Sequence, residues 1–140
     1  MQKLVVDSSV SIKWVNSIDE ERVEQAEKII LDVRLGKMEL LAPELSKYEV
    51  CNVLLVRKRL SIDQMKKALE FFYRLPITFY KDDLELAEIA SSFVVNFGIT
   101  YYDASFAALA KKEGATLVTD NPKHQAKIKG VKVVPLSEYT

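Results

Sequence analysis

Four acidic side chains in this chain stand where a carboxylate can do chemistry: Asp7, Glu49, Asp103 and Asp120. Asp7 directly follows the apolar run Leu4-Val5-Val6, and Asp120 follows Leu117-Val118-Thr119 in the same way. Both therefore belong at the carboxyl end of an expected strand. Asp103 opens an expected helix. Each aspartate also has a plainer reading as a helix N-cap, whose carboxylate accepts the unpaired N–H groups of the first turn. Glu49 is harder to place that way. It has Leu45, Val53 and Val56 at i−4, i+4 and i+7, so it lies on or beside the apolar stripe of its helix. A desolvated carboxylate without a partner is strongly unfavourable or takes up a proton. Glu49 must reach an Arg or Lys, edge into water, or meet a cation.

Together the four suggest one cleft. Clustered carboxylates repel and raise each other's pKa, and a hard divalent cation removes that repulsion. All-oxygen ligation suits Mg²⁺ or Mn²⁺ and does not suit zinc. The chain has one His and one Cys, His124 and Cys51, too few for a zinc-finger site. His124 is read as a surface residue and Cys51 as a small helix residue.

The elements that must position these acids alternate short β-rich runs with helical ones. Strands are expected at 4–6, 39–42, 77–80, 116–119 and 131–134. Helices are expected at 8–15, through Ala26, Ile29, Ile30 and Val33 to a stop at Gly36, at 43–59 with Pro43 in the first turn, from a Ser61/Gln64 capping box to before Pro76, at 82–97 closed by Gly98, and at 103–113 closed by Gly114. Asn121-Pro122 starts a short helix. Strands separated by helices imply right-handed crossovers and a parallel sheet. In such sheets ligands bind beyond the carboxyl ends of the strands, where Asp7 and Asp120 fall.

Composition agrees with one α/β domain over residues 1–140. Hydrophobic residues make up 49% of the 140 and charged residues 29%, which excludes disordered and collagen-like classes. A single cysteine excludes an internal disulfide framework. No apolar run reaches the roughly 20 residues of a membrane helix, and the first ten residues lack a signal-peptide pattern, so a cytoplasmic protein without membrane association is expected. Twenty basic and twenty acidic residues cancel, so any polyanion must be held by local patches. Residues 104–140 carry six lysines against three acids, and residues 19–27 carry five acids against Arg22. Candidate phosphate contacts are Arg57, Lys58, Arg59, Lys111, Lys112, Lys127 and above all Lys123, just after Asp120; solvated helix surface is the alternative for each. Tyr101 and Tyr102 are read as packing residues ahead of their helix, with stacking on an unpaired base as the alternative. Trp14 is expected in a core or an interface.

The four segments LVVDSSVSIKW, LLAPELSKYEVCNVL, ITYYDASFAALA and ATLVTDNPKH, in this order over nearly the whole chain, resemble the PIN domains, and specifically the small VapC-type toxins of prokaryotic toxin–antitoxin pairs. The resemblance implies a three-layer α/β/α fold with a central, mainly parallel sheet of four or five short strands. It implies a Mg²⁺- or Mn²⁺-dependent ribonuclease that hydrolyses RNA phosphodiester bonds. Asp7, Glu49 and Asp103 then become metal-binding and catalytic carboxylates, with Asp120 as the fourth acid. Family members often carry that acid two residues after the Thr of the last motif, where this chain has Asn121; Asn121 is therefore an alternative, neutral oxygen. Ser9 and Thr119, with Asn121 and Lys123, are the expected contacts on the substrate side of the site. Ser9 and Thr119 either orient carboxylates or water or make ordinary turn and cap hydrogen bonds. A cognate VapB-like antitoxin and a homodimer are the implied partners. The alternatives are a catalytically weak PIN-like module that binds RNA or protein, and another metal-dependent phosphohydrolase. An aspartyl-nucleophile phosphatase usually has a second acid two residues after the first, where Ser9 stands.

Overall fold

The computed structural model describes residues 1–140. Its strands are β1 (Gln2–Val6), β2 (Met38–Pro43), β3 (Thr78–Tyr80), β4 (Thr116–Thr119) and β5 (Val133–Pro135). Its α-helices are α1 (Ser8–Val15), α2 (Val23–Arg34), α3 (Leu45–Asn52), α4 (Ile62–Tyr73), α5 (Leu84–Phe97) and α6 (Tyr101–Glu113). All strand pairs are parallel, in the order β3-β2-β1-β4-β5. The chain lays down β1, β2 and β3 outward in one direction, then returns to place β4 and β5 on the other side of β1. The direction of winding reverses between β1 and β4, and a crevice opens at their carboxyl ends.

Both faces of the sheet are covered, so its central strands carry continuous apolar runs, Leu4-Val5-Val6, Leu40-Leu41-Ala42 and Leu117-Val118, rather than an alternation. Successive side chains still part to opposite sides. Leu4, Val6 and Leu40 enter one core with residues of α1, α2, α3 and α4. Val5 and Leu41 enter the other, against α5 and α6. Helix α6 meets the sheet through Ala104, Ala107, Ala108 and Ala110, small residues that let its backbone come close. Trp14 closes the first core and donates its indole N–H to the Ala26 carbonyl at 2.6 Å. No helix is long and apolar enough to cross a membrane.

Local signals account for most boundaries. The Ser61 hydroxyl accepts the Gln64 N–H while the Gln64 side chain accepts the Ser61 N–H, so the capping box forms. Gly98 ends α5 at φ 66°, a left-handed conformation that glycine adopts without a Cβ penalty. Three boundaries differ from expectation. Pro43 is the last residue of β2 and not the first turn of a helix. Its strand lies beside β1 in a register that includes Leu41 and Val5, and Pro43 faces Tyr80 of the edge strand β3. The helix after it does not run unbroken to residue 59. At Val53–Arg57 it widens into a π-helical turn, and the chain then turns through Arg59 at φ 55°. The wider turn breaks the 3.6-residue period. Val56, counted with the apolar stripe in the sequence, is therefore exposed. Finally, α6 begins at Tyr101, with Thr100 as its N-cap accepting the Asp103 N–H at 3.1 Å.

Candidate active site

Asp7 is the first residue beyond β1. Its backbone N–H reaches the Val118 carbonyl of β4 at 3.4 Å, which pins it to the crevice. It is the N-cap of α1, accepting the Ser9 N–H at 3.2 Å. The cap reading and the site reading thus coexist in one residue. Two hydroxyls then converge on its carboxylate. Ser9 Oγ donates to Oδ1, and Thr119 Oγ1 donates to Oδ2 at 2.5 Å. Each hydroxyl oxygen itself accepts a backbone N–H from the turn after β4: Asp120 N–H to Ser9 at 2.9 Å and Asn121 N–H to Thr119 at 3.1 Å. An incoming N–H occupies each oxygen, so each hydroxyl proton points to Asp7. Both hydroxyls are therefore turned toward Asp7.

Glu49 reaches the same region from α3, half-buried, with Oε1 accepting the Ser8 hydroxyl at 2.6 Å. Asp103 comes from the first turn of α6. Thr100 has taken the cap position, so the Asp103 carboxylate is not needed there and sits near the positive end of the helix. Gln125, buried in the short 3-10 turn after β4, donates to the Asp103 carbonyl at 3.4 Å. That contact was not foreseen from sequence, where Gln125 carries no signal.

The electrostatics tie the three acids together. Burial pushes the Asp7 carboxyl up to about 6, the Ser9 and Thr119 hydroxyls oppose the rise, and the Asp103 charge adds to it. Burial raises Glu49 as well, the Ser8 hydroxyl opposes, and Asp103 again adds. The Asp103 charge thus lies close enough to both Asp7 and Glu49 to disfavour their ionisation.

Asp120 is placed differently from the expectation of a fourth metal carboxylate. Arg22 grips it with Nε on Oδ1 at 2.5 Å and Nη2 on Oδ2 at 3.1 Å, and Lys13 Nζ lies 2.9 Å from Oδ2. Burial favours its neutral form, but Arg22 and then Lys13 outweigh that and hold its carboxyl below the usual range. The reason is the stretch 19–22. Arg22, at φ 55°, folds back over the sheet edge, while Glu20 of the same stretch pairs with Lys13 at 3.2 Å and Lys58 at 3.0 Å. Lys13 is only 3% exposed, so two carboxylates on one ammonium leave no unpaired buried charge. Sequence reasoning missed Lys13 and Glu20; the signal available was a lysine six residues after Asp7, the one charged residue of its helix.

Asn121 and Lys123 are exposed on the turn after β4, as is His124. Among the other basic candidates, Lys58 is spent on Glu20 and on the Asn16 and Ile18 carbonyls, and Lys112 on Asp83 and Glu85. Arg57 lies 3.6 Å from Glu20, and with Arg59 it lines an open groove of about 760 Å³ that reaches Asp120.

Three carboxylates with neighbouring hydroxyls, and no thiolate or imidazole, make a donor set that fits a hard oxygen-seeking cation. The chelate is not closed: no three His, Cys, Asp or Glu side chains are gathered at ligating distance. Asp7 and Glu49 instead direct oxygens to hydroxyl donors.

Comparison with known proteins places this chain in a group. The PIN domain family model matches residues 4–130. Ribonuclease VapC3 of Pyrobaculum aerophilum is 34% identical over 124 residues, 84% of this chain and 88% of its own length. Among solved structures, VapBC2 from Rickettsia felis, bound to a DNA fragment from their promoter, superposes with a TM-score of 0.73 at 15% identity, over 96% of this chain and 98% of that one. VapC20 of Mycobacterium tuberculosis, a Sarcin-Ricin loop cleaving toxin, gives a TM-score of 0.63 at 16% identity, over 84% of this chain and 87% of that one.

Proposed function

The chain belongs to the PIN-domain family, and from that premise we propose that it is a VapC-type endoribonuclease, the toxin of a toxin–antitoxin pair, acting in the cytoplasm. The observation that carries the reading is the convergence of Asp7, Glu49 and Asp103 at the β1/β4 crevice, where the Asp103 charge acts on both other acids. Like charges gathered in a crevice, with Asp7 pushed up to about 6 chiefly by burial, are a poor resting state for a site made only of protein. Asp7, Asp103 and Glu49 would hold Mg²⁺ or Mn²⁺. When bound, such a cation supplies Lewis-acid polarisation of a phosphodiester oxygen and lowers the pKa of water.

The chain's own residues do the rest. Ser9 and Thr119 fix the rotation of the Asp7 carboxylate. Ser8 fixes Glu49, which accepts the proton of the attacking water. Asp120 acts at one remove: gripped by Arg22 and Lys13, it anchors the turn whose N–H groups orient the Ser9 and Thr119 hydroxyls. Lys123, exposed just beyond that turn, meets the RNA phosphates. The negative crevice repels RNA until the cation is in place, so cleavage depends on it. A cognate antitoxin would silence the site by laying a basic side chain over the same acids, and the active form is a homodimer.

The test is an RNA cleavage assay on single-stranded and structured RNA with Mg²⁺, with Mn²⁺ and with EDTA. Endonucleolytic products that vanish with EDTA are expected. Cleavage that persists in chelator, or release of phosphate from small esters alone, overturns the proposal.

A further inference from the structure

Four of the six tyrosines in the chain, Tyr48, Tyr80, Tyr101 and Tyr102, line one pocket of about 270 Å³. It sits at the carboxyl ends of β2 and β3, the same edge of the sheet from which Asp7 emerges one strand away. Tyr48 immediately precedes Glu49 on α3, and Tyr102 immediately precedes Asp103 on α6. The pocket and the acidic trio are thus built from the same two helices. Tyr80 is fixed, its hydroxyl donating to Glu113 at 3.1 Å. Tyr48 is 75% exposed, Tyr102 60% and Tyr101 40%, which does not fit the packing role expected for the last two. None of the four stacks on another ring; the aromatic pairs of this protein join Phe72 to Tyr73 and Phe79, and Phe93 to Phe97.

Exposed ring faces beside a phosphodiester-cutting site have one chemistry that suits them. Every nucleobase has a π-face, and stacking on tyrosine needs an unpaired strand. The volume falls below the roughly 300–1,000 Å³ of drug-sized pockets, so it fits one flat heterocycle better than a peptide segment. Glu44 and Asp82 also line it. Glu44 is paired with Lys47 at 2.9 Å, which leaves the Asp82 carboxylate to repel phosphate and to accept a hydrogen bond from an exocyclic amino group. A strand would therefore place its phosphate at the trio and only its base here.

We infer that this pocket receives one unpaired RNA base beside the bond that is cut, and prefers a base bearing an exocyclic amino group (adenine, cytosine or guanine) over uracil. The inference rests on the ribonuclease reading above and names part of its substrate.

The experiment titrates a short single-stranded RNA carrying 2-aminopurine into the Asp7→Asn protein with Mg²⁺ and follows fluorescence quenching. Tyr48→Ala and Tyr102→Ala should each weaken binding by roughly 5–100-fold, while Tyr48→Phe and Tyr102→Phe, which keep the ring, retain it. An oligouridine competitor should displace the probe less well than oligoadenosine, and Asp82→Asn should narrow that difference. Unchanged affinity in both alanine variants overturns the inference. So does a loss of dimer in sedimentation with base quenching intact, which would make the surface a contact between copies. Wild-type cleavage is measured in parallel. A wild type that cuts RNA while the alanine variants bind normally removes the base pocket alone. A wild type that cuts nothing while quenching depends on the tyrosines removes the nuclease reading alone.

Discussion

Asp7 and Thr119 stand 112 positions apart and are joined by a 2.5 Å hydrogen bond from the threonine hydroxyl to Oδ2 of the aspartate. The direction of that bond is set by a third group, the Asn121 N–H on the same hydroxyl oxygen. Thr119→Val removes the donor and leaves the buried acceptor short of a partner, so it should destabilise the fold by about 1–3 kcal/mol. It should also raise the Mg²⁺ concentration needed for half-maximal cleavage, while Thr119→Ser restores both. Thermal melts and a Mg²⁺ titration of cleavage check this pair of outcomes; a Thr119→Val protein with an unshifted Mg²⁺ requirement would mean that the hydroxyl serves only the fold.

The trio and Asp120 are expected to part company under mutation. Asp7→Asn, Glu49→Gln and Asp103→Asn should each abolish Mg²⁺-dependent cleavage and leave the circular dichroism spectrum unchanged. Asp120→Asn should leave measurable cleavage but destabilise the fold, by about 1–3 kcal/mol, because Lys13 then keeps only Glu20 in a buried setting. If Asp120→Asn proves as inactive as Asp103→Asn at full stability, Asp120 acts at the cation itself.

Lys13 gives the complementary measurement. Replacing it with Ala leaves Asp120 with Arg22, and Glu20 with Lys58 and Arg57, as the remaining cations. Breaking a buried pair from one side costs on the order of 3–5 kcal/mol, and the cations that remain on Asp120 and Glu20 should bring the loss toward the lower end. A double-mutant cycle of Lys13→Ala with Asp120→Asn should show coupling, read from denaturant midpoints; additive losses would dissolve the network into independent contacts.

Cation binding should be visible without turnover. Mg²⁺ relieves repulsion among Asp7, Glu49 and Asp103 only in the folded chain, so it should raise the melting temperature in proportion to ln(1 + [Mg²⁺]/Kd). Asp103→Asn should blunt the response. An equal shift in wild type and variant would place the ion elsewhere.

Far from the site, Asp32 offers a pH signature. Its carboxylate is held below the ordinary 3.8 by the Lys28 ammonium at 2.6 Å and then by the Tyr139 hydroxyl at 2.7 Å. A depressed folded pKa stabilises the fold above the unfolded value and loses that contribution as pH falls through the folded one. Wild type should therefore exceed Asp32→Asn by about 1–3 kcal/mol at neutral pH, and the gap should close as pH drops below about 4. A gap independent of pH would assign the effect to shape rather than charge.

The amino-acid sequence alone determined the alternation of strands and helices, the caps at Ser61, Gly98 and Gly114, and the placement of Asp7 at a strand end. These depend on neighbours within one turn or one strand, so spacing reveals them. It also carried the family, through four short segments in register. Tertiary structure alone decided which groups Asp120 pairs with. Its backbone position was legible, but whether its carboxylate turns to the trio or to Arg22 depends on how residues 19–22 return over the sheet edge, a contact 98 positions long. The strand order, the π-helical turn after Asn52 and the gathering of four tyrosines were likewise hidden. Each depends on which distant surfaces meet, and a linear pattern of apolar and polar residues does not encode the direction from which a partner arrives.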